Sequence, residues 1–430
     1  MRRNIGRALV VFMGALACSA GPVVLPHASV PEPCSFEGVR AAWADRAVAS
    51  SSGVLGRVWI GRTDSDEIGW FDPVTLQPTS AYRATLPQQT STWAVSRGGG
   101  LLAIGLTNGV RIIDAETLRS VTMLERSPSW ALTWLSDDLL VSLGSDEVFM
   151  WDARVEGIRH HYLPGSVVTS HAANDRLLVV ISEGGRRQLG PAHLVQIDAS
   201  GARSVELEGL QAGFDPDRGE HGMRLTPGLA FDADRERAFV VPPDGPIAEV
   251  DLVEMAVTYR RPAASLLHDV ASALVAPASA KLGEWSHVRA VWLGDGLMAV
   301  SGERGSTMDV DVGAAGVSLV NTRDWTVCTL DPRPTHVAVS GGVLLAWGGA
   351  DFGEFGGSGL VGYDLTDGSR WHRFGRQYLD VRVYGRYVYA INSWHGWRVR
   401  TLDVETGTVL SRYRGRPPTV LPTGSSTQSW

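Results

Sequence analysis

Val110-Arg111-Ile112-Ile113-Asp114-Ala115-Glu116-Thr117-Leu118-Arg119 is a short apolar run that ends on an acid, turns and resumes. The chain repeats the phrase near its end as Val399-Arg400-Thr401-Leu402-Asp403-Val404-Glu405-Thr406-Gly407-Thr408. Eight units of this kind pivot on Asp72, Asp114, Asp152, Asp198, Asp251, Asn321, Asp364 and Asp403. Successive pivots are 42, 38, 46, 53, 70, 43 and 39 residues apart. Strand-like units recurring every 40 to 50 residues are the mark of a β-propeller. The expected fold is therefore all-β, with four-stranded blades. Eight blades are favoured, and seven if the atypical sixth unit is misread.

The second unit shows the grammar of a blade. Trp93-Ala94-Val95 opens it and Arg97 to Gly100 makes a turn, before the nearly continuous apolar run Leu101 to Leu106. Thr107-Asn108-Gly109 turns the chain again, since Asn-Gly readily takes positive φ. Val110 to Asp114 is the third strand, and Ser120 to Leu124 the outer one. After the pivot, triplets such as Ala-Glu-Thr let the carboxylate accept from its own turn's backbone N–H groups. The pivots thus read as structural, not catalytic.

Unit one lacks an inner strand, because its first clear strand is Arg57 to Gly61. Arg416-Pro417-Pro418-Thr419-Val420-Leu421 echoes Arg333-Pro334-Thr335-His336-Val337-Ala338, which opens unit seven. A C-terminal strand over Thr419 to Leu421 is expected to complete the first blade and remove an open edge. The propeller then spans residues 53–421, and 422–430 form a disordered tail. One insertion, 263–285, breaks the period, and its Leu266, Leu267, Val270 and Leu274 recur at helical spacing.

The N-terminus reads as an export signal. Arg2, Arg3 and Arg7 precede the apolar run Ala8 to Ala17, which is too short to span a bilayer. Residues 1–17 are the expected signal peptide, and 18–52 a linker with a short helix. Cys18, directly after the cleavage site, is a candidate for lipidation against an ordinary secretory signal. Cys34 and Cys328 then remain as an even pair in an oxidising compartment, a candidate disulfide. The expected location is extracytoplasmic, secreted or bound to the cell envelope, for a monomer with no transmembrane helix in the mature chain.

A net charge of −7 argues against a nucleic-acid footprint, which needs clustered basic residues. No nucleophile elbow, dinucleotide fingerprint, P-loop, zinc-protease helix or Cys-x-x-Cys is present.

Tyr387-Val388-Tyr389-Ala390-Ile391-Asn392, followed by Val399 to Thr406, resembles the YVTN-type repeat of bacterial exported propellers. The YncE-like and quinoprotein amine dehydrogenase-like propellers share that repeat. Only Leu106-Thr107-Asn108 and Ala390-Ile391-Asn392 approach its Thr-Asn element, so the resemblance is to a divergent member. It covers about residues 53 to 421 and implies a propeller and export. It implies no catalytic residue and no activity.

Candidate sites come from loop length. Ser182–His193, Gln211–Arg224, Gly302–Gly316 and Gly348–Gly359 are longer than their counterparts and open on one face, where binding sites form. They carry Asp215, Asp217, Glu220, Glu303, Asp309, Asp311, Asp351 and Glu354. Trp394, His395 and Trp397 sit in a tight turn on the same face, a polar group flanked by aromatic platforms. The expected ligand contacts are Asp309, Asp311, Asp351, Glu354, Trp394, His395 and Trp397. Carboxylates with aromatic platforms suit a cation or a polar, sugar-like ligand rather than an anion. No cofactor is expected beyond Ca²⁺, for which no full Asp-x-Asp-x-Asp-Gly loop is present. The reading is a non-enzymatic binding or scaffold module whose ligand is a protein, a carbohydrate or another polar molecule. A propeller lyase, lactonase or quinoprotein-type oxidoreductase subunit is the alternative.

Overall fold

The structure is a computed structural model. It describes residues 58–61, 67–77, 84–85, 92–96, 98–125, 131–154, 157–173, 175–185, 188–216, 223–243, 245–262, 284–306, 313–348, 358–365, 369–375, 380–392 and 398–414. The signal peptide, linker, insertion residues 263–283 and the expected C-terminal strand lie outside them. Glu284 and Trp285, the last residues of the expected insertion, open a strand instead.

Unit one contributes β1 (Val58–Gly61), β2 (Glu67–Phe71) and β3 (Ala84–Thr85). Unit two is β4 (Trp93–Val95), β5 (Leu101–Leu106), β6 (Gly109–Asp114) and β7 (Ser120–Glu125). Unit three is β8 (Ala131–Trp134), β9 (Leu139–Leu143), β10 (Glu147–Asp152) and β11 (Gly157–Tyr162). Unit four is β12 (Ser166–Ala173), β13 (Arg176–Ser182), β14 (Leu189–Asp198) and β15 (Gly201–Asp215). A short β16 (Met223–Thr226) leads into unit five, β17 (Gly228–Asp232), β18 (Arg237–Val241), β19 (Ile247–Asp251) and β20 (Ala256–Arg260). Unit six is β21 (Glu284–Gly294), β22 (Leu297–Ser306), β23 (Gly313–Asn321) and β24 (Val327–Asp331). Unit seven is β25 (His336–Ser340), β26 (Val343–Trp347), β27 (Leu360–Asp364) and β28 (Arg370–Arg373). Unit eight is β29 (Asp380–Tyr384), β30 (Tyr387–Asn392), β31 (Arg398–Asp403) and β32 (Val409–Arg414).

Five four-stranded antiparallel sheets stand as separate blades: units two, three, five, seven and eight. This corrects the expected count of eight, or seven. Unit one shows three strands among the described residues, and units four and six are fused through β16 into one nine-stranded sheet. Strand length causes the fusion. β14, β15, β21, β22 and β23 run 10, 15, 11, 10 and 9 residues, against a usual strand of about 5–6. β16 joins the two units by pairing antiparallel with the end of β15 and parallel with the start of β21.

From unit two round to unit eight, and from unit eight to unit one, neighbouring units pack face to face. The second strand Leu139–Leu143 is buried at all five residues, Ser142 included. The outer strand Val409–Arg414 alternates, with every second residue exposed. The core is a series of layers between neighbouring units. Ile112 and Trp151 share the layer between units two and three, and Phe239 and Met298 that between five and six. First strands of successive units contact one another (β4 with β8, β12 with β17, β17 with β21, β21 with β25, β25 with β29), which puts them innermost. The last layer joins Tyr389, Ile391 and Val399 of unit eight to Phe71 and Leu76 of unit one.

The pivots do what their turns require. Asp114 Oδ1 accepts from Thr117 N and Oγ1 at 2.7 Å each. Asp72, Asp152, Asp198, Asp251, Asn321 and Asp403 accept from N–H groups two or three residues on. Those bonds, led by the Thr117 backbone N–H, hold the Asp114 carboxyl below its ordinary value. At Asp403, burial raises the carboxyl, but Arg386 and Thr406 outweigh it and the net direction is down. The fourth residue after a pivot is left-handed at Leu76, Leu118, Met255, Trp325 and Gly407. Four of those five are not glycine, so the turn is enforced by its hydrogen bonds at a local cost of about 1–2 kcal/mol per residue.

Candidate functional site

Much of the long-loop face is sheet. Gly302 continues β22 to Ser306, Gly313 opens β23, and Gln211 and Arg224 lie in β15 and β16. The expected contacts Asp309, Asp311, Asp351, Glu354, Trp394, His395 and Trp397 lie outside the described residues, as do Asp217, Glu220, Cys18 and Cys34. Among the other loop acids, Asp215 pairs with Met223, and Glu303 pairs with His287.

Register decides what Glu303 meets. Thr226, His287 and Glu303 are neighbours across β16, β21 and β22. Arg289 and Ser301 form the adjacent pair two residues along. Arg224 lies two residues before Thr226. Side chains alternate along a strand, so Arg224, Thr226, His287, Arg289, Ser301 and Glu303 share one face. Asp215, level with Leu225's neighbour Met223, falls on the opposite one.

The start of unit seven packs against this face. Arg289 Nη1 donates to the Thr335 carbonyl at 3.1 Å and to Glu303 Oε1 at 3.3 Å. Ser301 Oγ donates to the same carbonyl at 3.0 Å. His336 Nδ1 lies 2.8 Å from Thr335 Oγ1 and 3.5 Å from Glu303 Oε1, with its ring stacked on Trp347 at 5.4 Å. The side chains of Arg289 and Glu303 are each 14% exposed. Gly348, at φ 89°, leaves room that a Cβ would take from Thr335 Oγ1 and His336 Nδ1.

Both imidazoles are neutral. Burial first, then the charge of Arg289, pushes His336 down to about 2. Burial, Arg289 and Arg224 push His287 down to about 3. A general acid or base works best with a pKa near the working pH, so both rings are mistuned for proton transfer. As neutral rings they remain good hydrogen-bonding groups, and the buried Nε2 of His287 has no hydrogen-bond partner among the described residues. No group of three or more His, Cys, Asp or Glu placed to hold a metal ion occurs among the described residues.

The sequence carried a faint signal for this site. In Trp285-Ser286-His287-Val288-Arg289-Ala290-Val291 the ionisable residues His287 and Arg289 stand two apart, the period of one strand face. Reading 263–285 as an insertion hid the start of that strand. The other polar groups of the cluster, Thr335 and His336, belong to the Arg-Pro-Thr-His phrase that marked unit seven, and a structural echo masked their chemistry.

Cys328, on β24, is disulfide-bonded. It packs against the layer between units six and seven. No helix among the described residues is long and apolar enough to cross a membrane.

No protein-family model matches the chain, and no curated protein matches it in sequence. Solved structures do share its fold. The dihydro-heme d1 dehydrogenase NirN in complex with DHE is 12% identical, with 91% of this chain and 81% of that one covered at a TM-score of 0.53. BamB from Moraxella catarrhalis is 15% identical over 79% of this chain and 89% of its own, at a TM-score of 0.44. Apo AztD from Citrobacter koseri is 15% identical over 86% and 99%, at a TM-score of 0.47. The chain is a β-propeller, and similarity at this level speaks for the fold alone.

Proposed function

We propose that this protein is an exported, non-enzymatic propeller of the cell envelope that binds its ligand on the strand-built face over units four to seven. The observation that carries the reading is the cluster of Arg289, Glu303, His287 and His336 where β21, β22 and the start of unit seven meet. Its two imidazoles are displaced far from neutral pH, and its one carboxylate is committed to Arg289. That combination favours recognition over proton transfer, and so a binding module over a lyase, lactonase or oxidoreductase subunit.

The finer features of the proposal come from the sequence. The YVTN-like phrases of unit eight support kinship with YncE-like propellers, and the N-terminal signal supports an extracytoplasmic location, with Cys18 as the lipidation candidate. Cys34 is the proposed partner of Cys328, because Cys18 belongs to the signal boundary in either processing route. Asp309, Asp311, Asp351 and Glu354, with Trp394, His395 and Trp397, are proposed as rim contacts for Ca²⁺ or a polar, carbohydrate-like group.

A thermal-shift screen of the purified protein against Ca²⁺, Mg²⁺ and neutral sugars tests the rim. A rise in midpoint with Ca²⁺ that disappears in Asp311→Asn/Asp351→Asn supports those carboxylates as ligands. A Ca²⁺ response unchanged in that variant removes them.

A further inference from the structure

We infer that the face formed by β16, β21 and β22 recognises an anionic group, a carboxylate or phosphate of the ligand, through Arg224 and His287 beside Arg289. This rests on the binding-module reading and names the chemistry of its inner contact.

Charge comes first. Among the described residues of this face two guanidinium groups stand against one carboxylate, in a protein whose formal net charge is −7. Glu303 does not cancel both. It is bonded to Arg289, 3.3 Å away, while Arg224 is exposed and its guanidinium rests 5.7 Å above the Phe214 ring. A planar guanidinium held on an aromatic face keeps its N–H edge for a carboxylate or phosphate. The loop acids point to a cation, whereas the arginines stand within strands β16 and β21.

Hydrogen-bonding capacity comes second. His287 sits on β21 directly beside Thr226 of β16, and Arg224 precedes Thr226 by two residues on the same face. His287 Nε2 is buried and has no hydrogen-bond partner among the described residues. A buried polar atom without a partner costs free energy, and an anion oxygen accepting from Nε2–H removes that cost. Arg289 adds its positive charge from the next position along the strand, fixed by Glu303 and the Thr335 carbonyl. The arrangement offers one exposed fork, one buried ring donor and a fixed background charge. That is suited to a single anionic group rather than to a bare cation.

The chemistry is shared by a free phosphate, a small polycarboxylate and an acidic sugar, and the test separates them. Isothermal titration of the full-length mature protein with sodium phosphate, sodium citrate and glucuronate is run against sodium chloride at matched ionic strength. At least one of the three is expected to bind, and Arg224→Gln to weaken it by about tenfold or more, the scale of one charge-assisted bond. Because Arg224 is exposed, that variant should keep the wild-type unfolding midpoint. His287→Gln, which keeps a donor but moves it, should weaken the same anion. Binding equal in wild type and Arg224→Gln, or no heat from any of the three anions, overturns the inference. In the latter case a retained response to Ca²⁺ or neutral sugars leaves the binding-module reading standing, so the two failures are distinguishable.

Discussion

The Tyr389 hydroxyl donates to the Pro73 carbonyl at 2.8 Å, in a buried setting and across 316 residues of sequence. Ser411 Oγ donates to the next carbonyl, that of Val74. Unit eight is thereby latched onto the pivot turn of unit one, on top of the apolar layer that Tyr389 forms with Phe71 and Leu76. The same device recurs around the fold: Trp134 Nε1 donates to Ala94 O at 3.2 Å, and Trp371 Nε1 to Val404 O at 3.1 Å. Side chains from one unit thus satisfy carbonyls of a neighbour, in turns at Pro73, Val74 and Val404 and on strand β4 at Ala94, which ties the backbone of the repeat to the stacking of the sheets.

Removing the latch should be measurable. Tyr389→Phe keeps the ring and strands a buried carbonyl, at a cost of about 1–3 kcal/mol. Urea denaturation is expected to show a lower midpoint with an unchanged slope. Tyr162→Phe, at a site 78% exposed, serves as the control and should leave the midpoint where it is. Equal midpoints for Tyr389→Phe and wild type would mean that the ring closes by packing alone.

Glycine spacing around Trp371 gives a second test. The indole lies across Gly362 of its own sheet and Gly407 of the next, and a Cβ at Gly362 would sit inside the ring's contact distance. Gly362→Ala should therefore destabilise by about 1–3 kcal/mol through overpacking. The double change Gly362→Ala/Trp371→Ala should cost less than the two single changes added together. Strict additivity would show that the ring and the glycine do not meet.

Acid sensitivity follows from the buried imidazoles. His171, His287 and His336 are pushed down to about 4, 3 and 2, each primarily by burial. Unfolded histidine binds a proton near pH 6.5. Between that value and the folded values the unfolded chain holds more protons than the native one, so stability falls as pH falls. Each such ring contributes a slope of up to about 1.4 kcal/mol per pH unit. Asp114 and Asp403, whose folded values are depressed, lose their contribution only below about pH 4. Denaturation free energies between pH 7 and 4.5 should decline for wild type and decline less steeply for His336→Gln. Parallel lines for the two proteins would refute the assignment.

Truncation tests the proposed closing strand. Deleting residues 416–430 should lower the thermal midpoint markedly if Thr419 to Leu421 pair into the first blade, because the deletion opens a sheet edge. An unchanged midpoint would show that the latch at Tyr389 and Ser411 suffices without it.

Period and pivot chemistry made the propeller legible in the sequence. Asp114 and Asp403 are capped by their own turns as the Ala-Glu-Thr and Val-Glu-Thr triplets implied. The separate-blade count was not legible, because period counting registers pivots and is blind to strand length. β15 and β21 grow out of stretches that read as loop and insertion, and their pairing through β16 is a contact between units rather than within one. The candidate site was half legible. Loop length drew in Glu303, whose place beside His287 comes from strand register. Arg224, His287, Arg289 and His336 were passed over because isolated polar residues on a strand look the same whether they face solvent or a shared cluster, until register brings them together. Left-handed Leu76 and Leu118 were equally silent, since no local preference of leucine calls for that backbone.

The role proposed for this strand-built face is to bind a ligand. The most direct measurement is the thermal midpoint of wild type, Arg224→Gln and Asp114→Asn across one panel of phosphate, citrate, glucuronate, Ca²⁺ and neutral sugars. Asp114 caps a turn at a different unit, so its variant lowers the ligand-free midpoint while retaining every ligand response. The account predicts at least one stabilising ligand for wild type, with the response to an anion reduced in Arg224→Gln and preserved in Asp114→Asn. A panel in which no compound shifts wild type would contradict it.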